Sequence, residues 1–181
     1  ARLLRADGAE FMEKSVRINV TNYAYKPDYS GHYNATSVKQ VKEFMSEHDS
    51  LLRAVQRKRS VPKDIVASIL WIESRCGKIT GKYHVPSLYL SLLLAPDSAY
   101  VAASLEKVVA DQKLDSARTD SVRQLILSRA ERKARWALKE LKALQDIDGR
   151  KVMSVESLNG SWAGAFGFPQ FLPSSYNTWA V

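Results

Sequence analysis

The sequence predicts a mainly α-helical protein with few or no strands. Apolar residues recur at spacings of three and four along most of the chain, which is the period of a helix face. Pro or Asp precedes several of these segments, and Gly follows two of them, as expected at helix ends. The alternation typical of a strand occurs only in residues 16–20. With 181 residues, the chain is long enough for one substantial core.

The net charge limits the kinds of partner. The formal charge of +8 favours a polyanion, such as nucleic acid, an anionic membrane surface or an acidic glycan. A single cysteine excludes an internal disulfide framework. No apolar run approaches the roughly 20 residues that span a bilayer, and no nucleotide-binding or metalloprotease motif occurs. The Asp-rich segment 146–149 lacks the final acid of a calcium loop, so we expect neither a metal nor a cofactor.

Residues 1–35 read as an N-terminal extension packed on the main body. Leu3 to Val16 predicts a short helix, and Val16 to Val20 predicts a strand. The segment from Tyr23 to Asn34, rich in Tyr, Pro, Gly and Asn, predicts an ordered loop. Its four tyrosines suit either stacking on sugar rings or surface packing.

The next segment predicts one helix from Thr36 or Ser37 to about Arg59. Its apolar residues fall on one face, and His48 lies on or beside that face. A histidine in this position is more often a packing residue than a ligand.

Glu73 is the first candidate for chemistry. Pro62 is suited to open a helix and Gly77 to end it in a left-handed cap, and Glu73 shares the apolar stripe formed by Ile65, Ile69, Ile72 and Cys76. Burial there and the negative end of the helix dipole would both favour the protonated carboxyl that general-acid catalysis requires. The alternative is a surface Glu beside Arg75 and Lys78, tipped out of the stripe.

Three further helices follow. Leu88 to Leu94 predicts a buried helix that ends before Pro96, and Ser98 to Gln112 predicts a helix begun by Asp97 or Ser98. Leu114 to Leu144 predicts a long or broken helix with alternating charges outside, stopped by Gly149.

The segment 160–179 changes in character, because small residues alternate with aromatic ones. Its aromatic rings are of the kind that stacks on sugars, and Ser161 and Gln170 add hydrogen-bonding groups among them. Pro173 is suited to open a final helix. A glycine-rich turn packed onto the core by its aromatics is an equally good interpretation of the composition.

Two separated motifs resemble one known family. The chain is similar to the membrane-bound lytic transglycosylase B family in the segments ESRCG (73–77), TGK (80–82), GSWAGAFG (160–167) and QFLPSSY (170–176). The similarity runs from about Thr36 to Val181 and implies a lysozyme-like fold, with a catalytic domain at residues 36–181. It also implies that Glu73 is the catalytic acid/base and that Ser161, Gln170, Phe171 and Tyr176 line the sugar cleft.

The resemblance implies a mechanism with a single carboxylate acting on peptidoglycan. Glu73 protonates the oxygen between N-acetylmuramic acid and N-acetylglucosamine, and the acetamido group stabilises the cationic centre. Glu73 then removes the C6 hydroxyl proton, which gives a 1,6-anhydro end. We expect a monomer in the periplasm or cell envelope, with no nucleic-acid partner and no membrane span; a lipid anchor upstream is not excluded.

Departures from the family pattern keep other functions open. The family commonly has an aromatic residue at Cys76, and a basic pair is missing near Pro96. It also continues beyond Val181 with further helices, so either the remainder is absent or this is a shortened relative. These departures leave open a lysozyme-type hydrolase, with or without preference for modified or deacetylated peptidoglycan. Two alternatives of other classes are a noncatalytic glycan-binding module that keeps the cleft and, from the positive charge, a basic helical nucleic-acid binder.

Overall fold

The computed structural model describes residues 9–21 and 28–180, and this part of the chain is mainly helical. Its eight α-helices are α1 (Glu13–Thr21), α2 (Ala35–Glu47), α3 (Asp49–Arg59), α4 (Lys63–Ser74), α5 (Val85–Leu93), α6 (Ser98–Gln112), α7 (Ser116–Gly149) and α8 (Pro173–Trp179). The strands β1 (Tyr83–His84) and β2 (Asn159–Gly160) pair antiparallel, with Tyr83 opposite Gly160. The predicted fold class is confirmed.

The described residues form two compact units. The larger unit contains residues 9–21, 81–165 and 171–180, and therefore α1, α5 to α8 and both strands. The smaller unit contains residues 28–80 and 166–170, and therefore α2, α3 and α4. The division of the chain into an extension at 1–35 and a catalytic domain at 36–181 stays a prediction.

Helix α5 is the centre of the larger unit. Seven of its nine residues are buried, because most of them are apolar and such a helix is stable in water only when surrounded. Its two serines, Ser87 and Ser91, accept hydrogen bonds from the amides of Glu10 and Met12, at 3.1 and 3.0 Å. The long helix α7 packs against it, and α1, α6 and α8 pack against α7 in turn. Leu88, Tyr89 and Leu92 of α5 and Ile126 and Leu144 of α7 all have no solvent access, and the Tyr89 ring lies 5.4 Å from that of Trp136 of α7.

The strand predicted at residues 16–20 is wrong, since these residues belong to α1. Val16 and Val20 are four apart and both buried, so they lie on one face of a helix as readily as on one face of a strand. Asn19 is buried beside them and donates to the carbonyls of Ser15 and Trp162, each at 3.0 Å. Of the helix predicted at Leu3 to Val16, residues 13–16 belong to α1, residues 9–12 are not helical, and the rest lies outside the described residues. Tyr23 and Tyr25 also lie outside the described residues.

The helix predicted from Thr36 or Ser37 to Arg59 is divided at His48. This residue has φ −113° and ψ 20°, and its ring lies 4.5 Å from that of Phe44. The N-cap of α2 is Asn34, whose side chain accepts a hydrogen bond from the Ser37 amide at 2.9 Å. Neither Gly nor Pro stands near His48, so the sequence carries no breaker that would place the division.

The predictions for the remaining helices hold closely. Helix α5 ends before Pro96, and the Asp97 side chain caps α6 by accepting from the Ala99 amide at 2.9 Å. Helix α7 is continuous to Gly149, and Pro173 opens α8. Within the described ranges, no single helix is long and apolar enough to cross a membrane, and the one pair that passes together, α5 and α6, is bent by 100°.

Candidate functional site

Glu73 lies in the last turn of α4, on the apolar stripe that the sequence predicts. The three isoleucines of that stripe are not buried: Ile65, Ile69 and Ile72 are 49%, 52% and 53% exposed, and Glu73 is exposed beside them. The opposite side of the helix is buried instead, through Ala67, Trp71 and Ser74. The expectation of a dry carboxyl in this structure is therefore wrong. The period identifies an apolar face, but it does not reveal whether another element covers it.

Helix α4 ends differently from the prediction. Its C-cap is Arg75, and Arg75, Cys76 and Gly77 have φ of 52°, 56° and 85° in succession. The amides of Arg75 and Cys76 both bond back to the last turn of the helix, at 2.9 Å. Gly77 is left-handed as expected, but it lies two residues beyond the cap. This tight turn reverses the chain directly after Glu73.

Ser74, the neighbour of Glu73, fixes this turn to the segment 166–170. Its hydroxyl donates to the Phe168 carbonyl at 2.7 Å and accepts from the Gly77 amide at 2.9 Å. Phe168 lies against Gly77 so closely that a Cβ there would be 2.2 Å from the ring. Within the smaller unit, the end of α4 and the segment 166–170 are therefore joined by contacts at both backbone and side chain.

The charged neighbours of Glu73 do not neutralise it. Arg75 places its guanidinium 4.5 Å from the Trp71 ring, and among the described residues Glu73 takes part in no ion pair. Cys76 is buried, and burial raises the pKa of its thiol, so it remains protonated at neutral pH. The Glu73 side chain is thus exposed, as the alternative interpretation of a surface Glu expects, but among the described residues it forms no ion pair with Arg75 or Lys78.

Gln170 belongs to the same unit and has a positional role. Its side-chain amide donates to the carbonyls of Thr80 and Gly167, at 3.1 and 2.8 Å. The residue itself has a left-handed backbone, with φ 50°. Both amide hydrogens are therefore used to hold the loop, and the side-chain oxygen is the atom left to accept from a ligand.

Ser161 lies in the larger unit, inside a tight turn. The turn closes through the Ser161 amide, which donates to Ala165 at 2.7 Å, and through the Gly164 amide, which donates back to Ser161 at 2.9 Å. The Ser161 hydroxyl accepts from the amides of Ala163 and Ala165, at 3.3 and 3.1 Å. Within the described residues its own hydrogen has no acceptor, so it can be donated to a ligand.

Phe171 and Tyr176 flank the start of α8, also in the larger unit. Both are half-buried, and Tyr176 is held in the helix by its amide, which donates to Leu172 at 2.8 Å. Trp162 is exposed, so it presents an open aromatic face. A partly open ring on a fixed element is suited to stack on a sugar.

A carboxylate that sequence analysis missed lies under α8. Glu140 of α7 is only 1% exposed, and it accepts from the amide and the hydroxyl of Ser174, at 2.9 and 2.8 Å. Burial, together with the Glu140 charge, raises the pKa of Tyr89, whose hydroxyl donates to Gly164 at 3.0 Å. Glu140 is too deeply buried to serve as a nucleophile. Its position inside a charged helix gave no signal of this role.

The site predictions thus divide between the two units. Glu73 and Gln170 lie in the smaller unit, on segments joined through Ser74. Ser161, Phe171 and Tyr176 lie in the larger unit. No cluster of three or more metal-ligating side chains occurs in the part of the chain that the structure describes.

The sequence was compared with models of protein families and with curated proteins. The model of the transglycosylase SLT domain matches residues 13–181. No curated protein matches the sequence.

Solved structures share the fold at low sequence identity. They include SltB3 from Pseudomonas aeruginosa in complex with NAG-anhNAM-pentapeptide (21% identity, TM-score 0.68, covering 99% of this chain and 39% of that one). The Escherichia coli lytic transglycosylase Slt35 in complex with bulgecin A is also similar (21%, 0.66, 96% and 46%). So is soluble SltB1 from P. aeruginosa (21%, 0.61, 96% and 48%).

The chain thus spans less than half the length of each of these proteins. Its fold is that of the lysozyme-like lytic transglycosylases. Because the domain model covers nearly all of the sequence, and the two motifs lie within the matched residues, the chain belongs to the transglycosylase SLT domain family.

Proposed function

We propose that this protein cleaves the β-1,4 bond between N-acetylmuramic acid and N-acetylglucosamine in peptidoglycan, with Glu73 as acid and base. Family membership supports peptidoglycan as the substrate, as does the likeness to SltB3, solved with NAG-anhNAM-pentapeptide. The net charge of +8 suits a polymer whose peptide stems and lactyl groups carry carboxylates.

The observation that carries the proposal is the link between the end of α4, where Glu73 lies, and the segment 166–170. Ser74 donates to Phe168, and Gln170 donates to Thr80, so two segments far apart in sequence hold one another at the end of α4. A general acid must be held firmly relative to the groups that bind its substrate, because small displacements are costly in rate. Glu73 is exposed, so a glycan has direct access to it.

The mechanism needs only one carboxylate. Glu73 donates its proton to the bridging oxygen while the acetamido group of the muramic sugar stabilises the cationic carbon. The Glu73 carboxylate then takes the proton of the C6 hydroxyl, whose oxygen closes the 1,6-anhydro ring. Ser161 donates a hydrogen bond and Gln170 accepts one, while Phe171 and Tyr176 stack on the sugars. The segment 160–176 contains no Asp or Glu, so it offers no second carboxylate for a two-carboxylate mechanism.

Hydrolysis is the second candidate, and the exposure of Glu73 favours it. Ring closure competes with attack by water, and a general acid open to solvent does not by itself exclude water from the cationic centre. A lysozyme-type enzyme would leave a reducing end in place of the anhydro ring. In either case we expect the protein to act in the periplasm or cell envelope as a monomer.

The experiment is turnover of purified sacculi by wild type and by Glu73→Gln. Gln preserves the shape of the side chain but has no proton to donate, so we expect the rate to fall at least about 100-fold, as for loss of a general acid. The melting temperature should stay close to that of wild type, because Glu73 is exposed.

The matched control is Glu106→Gln, an exposed Glu on α6 in the other unit. It should leave both rate and stability unchanged. Equal activity of Glu73→Gln and wild type would refute the assignment. A folded wild type that binds sacculi without releasing fragments would instead indicate a glycan-binding module.

A further inference from the structure

The buried carboxylate of Glu140 has no role in the mechanism above, yet it is the main polar contact between α7 and the start of α8. It is nearly without solvent access, and its two oxygens are both used by one residue, Ser174. Among the described residues it forms no ion pair. A buried charge held only by neutral donors is costly, so its hydrogen bonds must be well made.

The Glu140 carboxylate is placed to hold the first turn of α8 through two hydrogen bonds. Pro173 has no amide hydrogen, so the Ser174 amide is among the first donors of the helix, and the Glu140 carboxylate accepts from it at the positive end of the helix dipole. The Ser174 hydroxyl adds a second bond from the same residue. Two bonds to one residue fix direction as well as distance, and bonds to a charged acceptor are stronger than neutral ones.

The proposed sugar-stacking rings lie on either side of the residue that Glu140 bonds. Phe171 stands three residues before Ser174 and Tyr176 two residues after it, and all of them belong to the larger unit. A second contact lies further along α8, where the Asn177 side chain donates to the Ala143 carbonyl at 3.0 Å. Glu140 is therefore hydrogen-bonded to the end of α8 that is nearer to Phe171, and Asn177 bonds the other end of α8 to α7.

We infer that Glu140 is a positioning residue for glycan binding: through Ser174 it sets the start of α8, and so the direction of the Phe171 and Tyr176 rings. This inference rests on the proposed function for the role of those rings. It assigns to Glu140 an effect on substrate affinity and none on proton transfer.

The test compares Glu140→Ala with Glu140→Gln, using a soluble glycan fragment of defined length as substrate. Alanine removes both acceptors, and we expect KM to rise about tenfold, the equivalent of one lost hydrogen bond in binding, with kcat changed less than about twofold. Glutamine can still accept from the Ser174 amide and donate to its hydroxyl. It should restore KM to within about threefold of wild type.

Two further variants keep the test decisive. Glu131→Gln changes an exposed Glu of the same helix and should leave KM unaltered. Ser174→Ala removes only the hydroxyl bond and should raise KM about threefold; it decides the matter if Glu140→Ala does not fold.

The outcomes separate the two proposals. A lower melting temperature for Glu140→Ala or Ser174→Ala with unchanged KM would show a purely structural carboxylate and overturn the positioning role alone. A folded wild type that cleaves no glycan would overturn the proposed function itself.

Discussion

Helices α4 and α5 are both apolar, yet one carries its isoleucines in solvent and the other is almost wholly buried. The three isoleucines of α4 are about half exposed, whereas Leu88 and Tyr89 of α5 have no solvent access. The difference lies in the pattern. Apart from Ser87 and Ser91, whose hydroxyls are hydrogen-bonded, helix α5 is apolar and needs neighbours on nearly every side. Helix α4 has a second face, with Trp71, that is enough to attach it to α2. The scaffold is thus built on α5, and the acid stands at the exposed end of α4.

Two glycines test this contrast most strongly, because both have positive φ and both face an aromatic ring. Gly164 (φ 82°) lies under the buried Tyr89, and a Cβ there would be 2.3 Å from the hydroxyl oxygen. Gly164→Ala should destabilise the protein by about 3–5 kcal/mol, from overpacking together with backbone strain. Chemical denaturation measures this value.

The matched variant at the end of α4 is Gly77→Ala. Gly77 has φ 85° and faces Phe168, whose ring is 51% exposed and has room to turn away. We expect a loss of only about 1–2 kcal/mol, mostly from the backbone. Equal losses for the two variants would contradict the distinction between a buried scaffold and an exposed site.

Truncation of one apolar side chain in each helix gives the next effect in size. Leu88→Ala leaves a cavity in the core of the larger unit and should cost about 2–5 kcal/mol. Ile69→Ala removes a half-exposed side chain and should cost less than about 1 kcal/mol. Urea midpoints compared at equal m-values provide the measurement. A large loss at Ile69 would mean that its face is covered in solution.

Much of the scaffold could be predicted from sequence, because its signals are local. The helices α5 to α8 follow from the largely apolar segment at 88–94, from Asp97 and from Pro173. The division at His48 could not, since it depends on packing and not on a helix breaker. The pattern at 16–20 predicts a strand where α1 lies, because Val16 and Val20, four residues apart, fit both the strand and the helix period.

The candidate site was predicted by its motifs, but its environment was not. Glu73, Ser161 and Gln170 follow from two short sequence patterns whose residue types have chemical meaning. The exposure of Glu73 depends on which elements cover its helix face, and the hydrogen bond from the Gln170 amide to Thr80 joins residues 90 positions apart. Neither can be read from a local pattern. Glu140 shows the same limit, since nothing in α7 marks one Glu among its many charges as buried.

Gln170 should show an intermediate effect on both stability and activity. Gln170→Ala removes two hydrogen bonds to backbone carbonyls, so we expect a loss of about 1–2 kcal/mol. It also removes the oxygen proposed to accept from the sugar, so kcat/KM should fall by about tenfold. Denaturation and kinetics on one soluble substrate separate the two effects. Lower stability with unchanged kcat/KM would leave Gln170 only its packing role.

The smallest effect concerns the pH dependence of stability through Asp49. Hydrogen bonds from Lys63, and then from Arg53, lower the pKa of the Asp49 carboxyl below its usual value. A lowered pKa in the folded state stabilises the fold above the unfolded pKa of about 4, and this contribution disappears as the pH falls through the folded pKa. Asp49→Asn should therefore lose slightly less stability than wild type between neutral pH and about pH 3. If the stability of wild type and of Asp49→Asn decreases in parallel as the pH falls, Asp49 makes no pH-dependent contribution to stability.

The central claim is that the exposed carboxyl of Glu73 transfers a proton to the bridging oxygen and then recovers one from the C6 hydroxyl. Mass spectrometry of the fragments released from purified sacculi tests it most directly, with Glu73→Gln as the paired sample. The account predicts 1,6-anhydro ends from wild type and no fragments above background from the variant. Fragments of the same kind and amount from both proteins would contradict it.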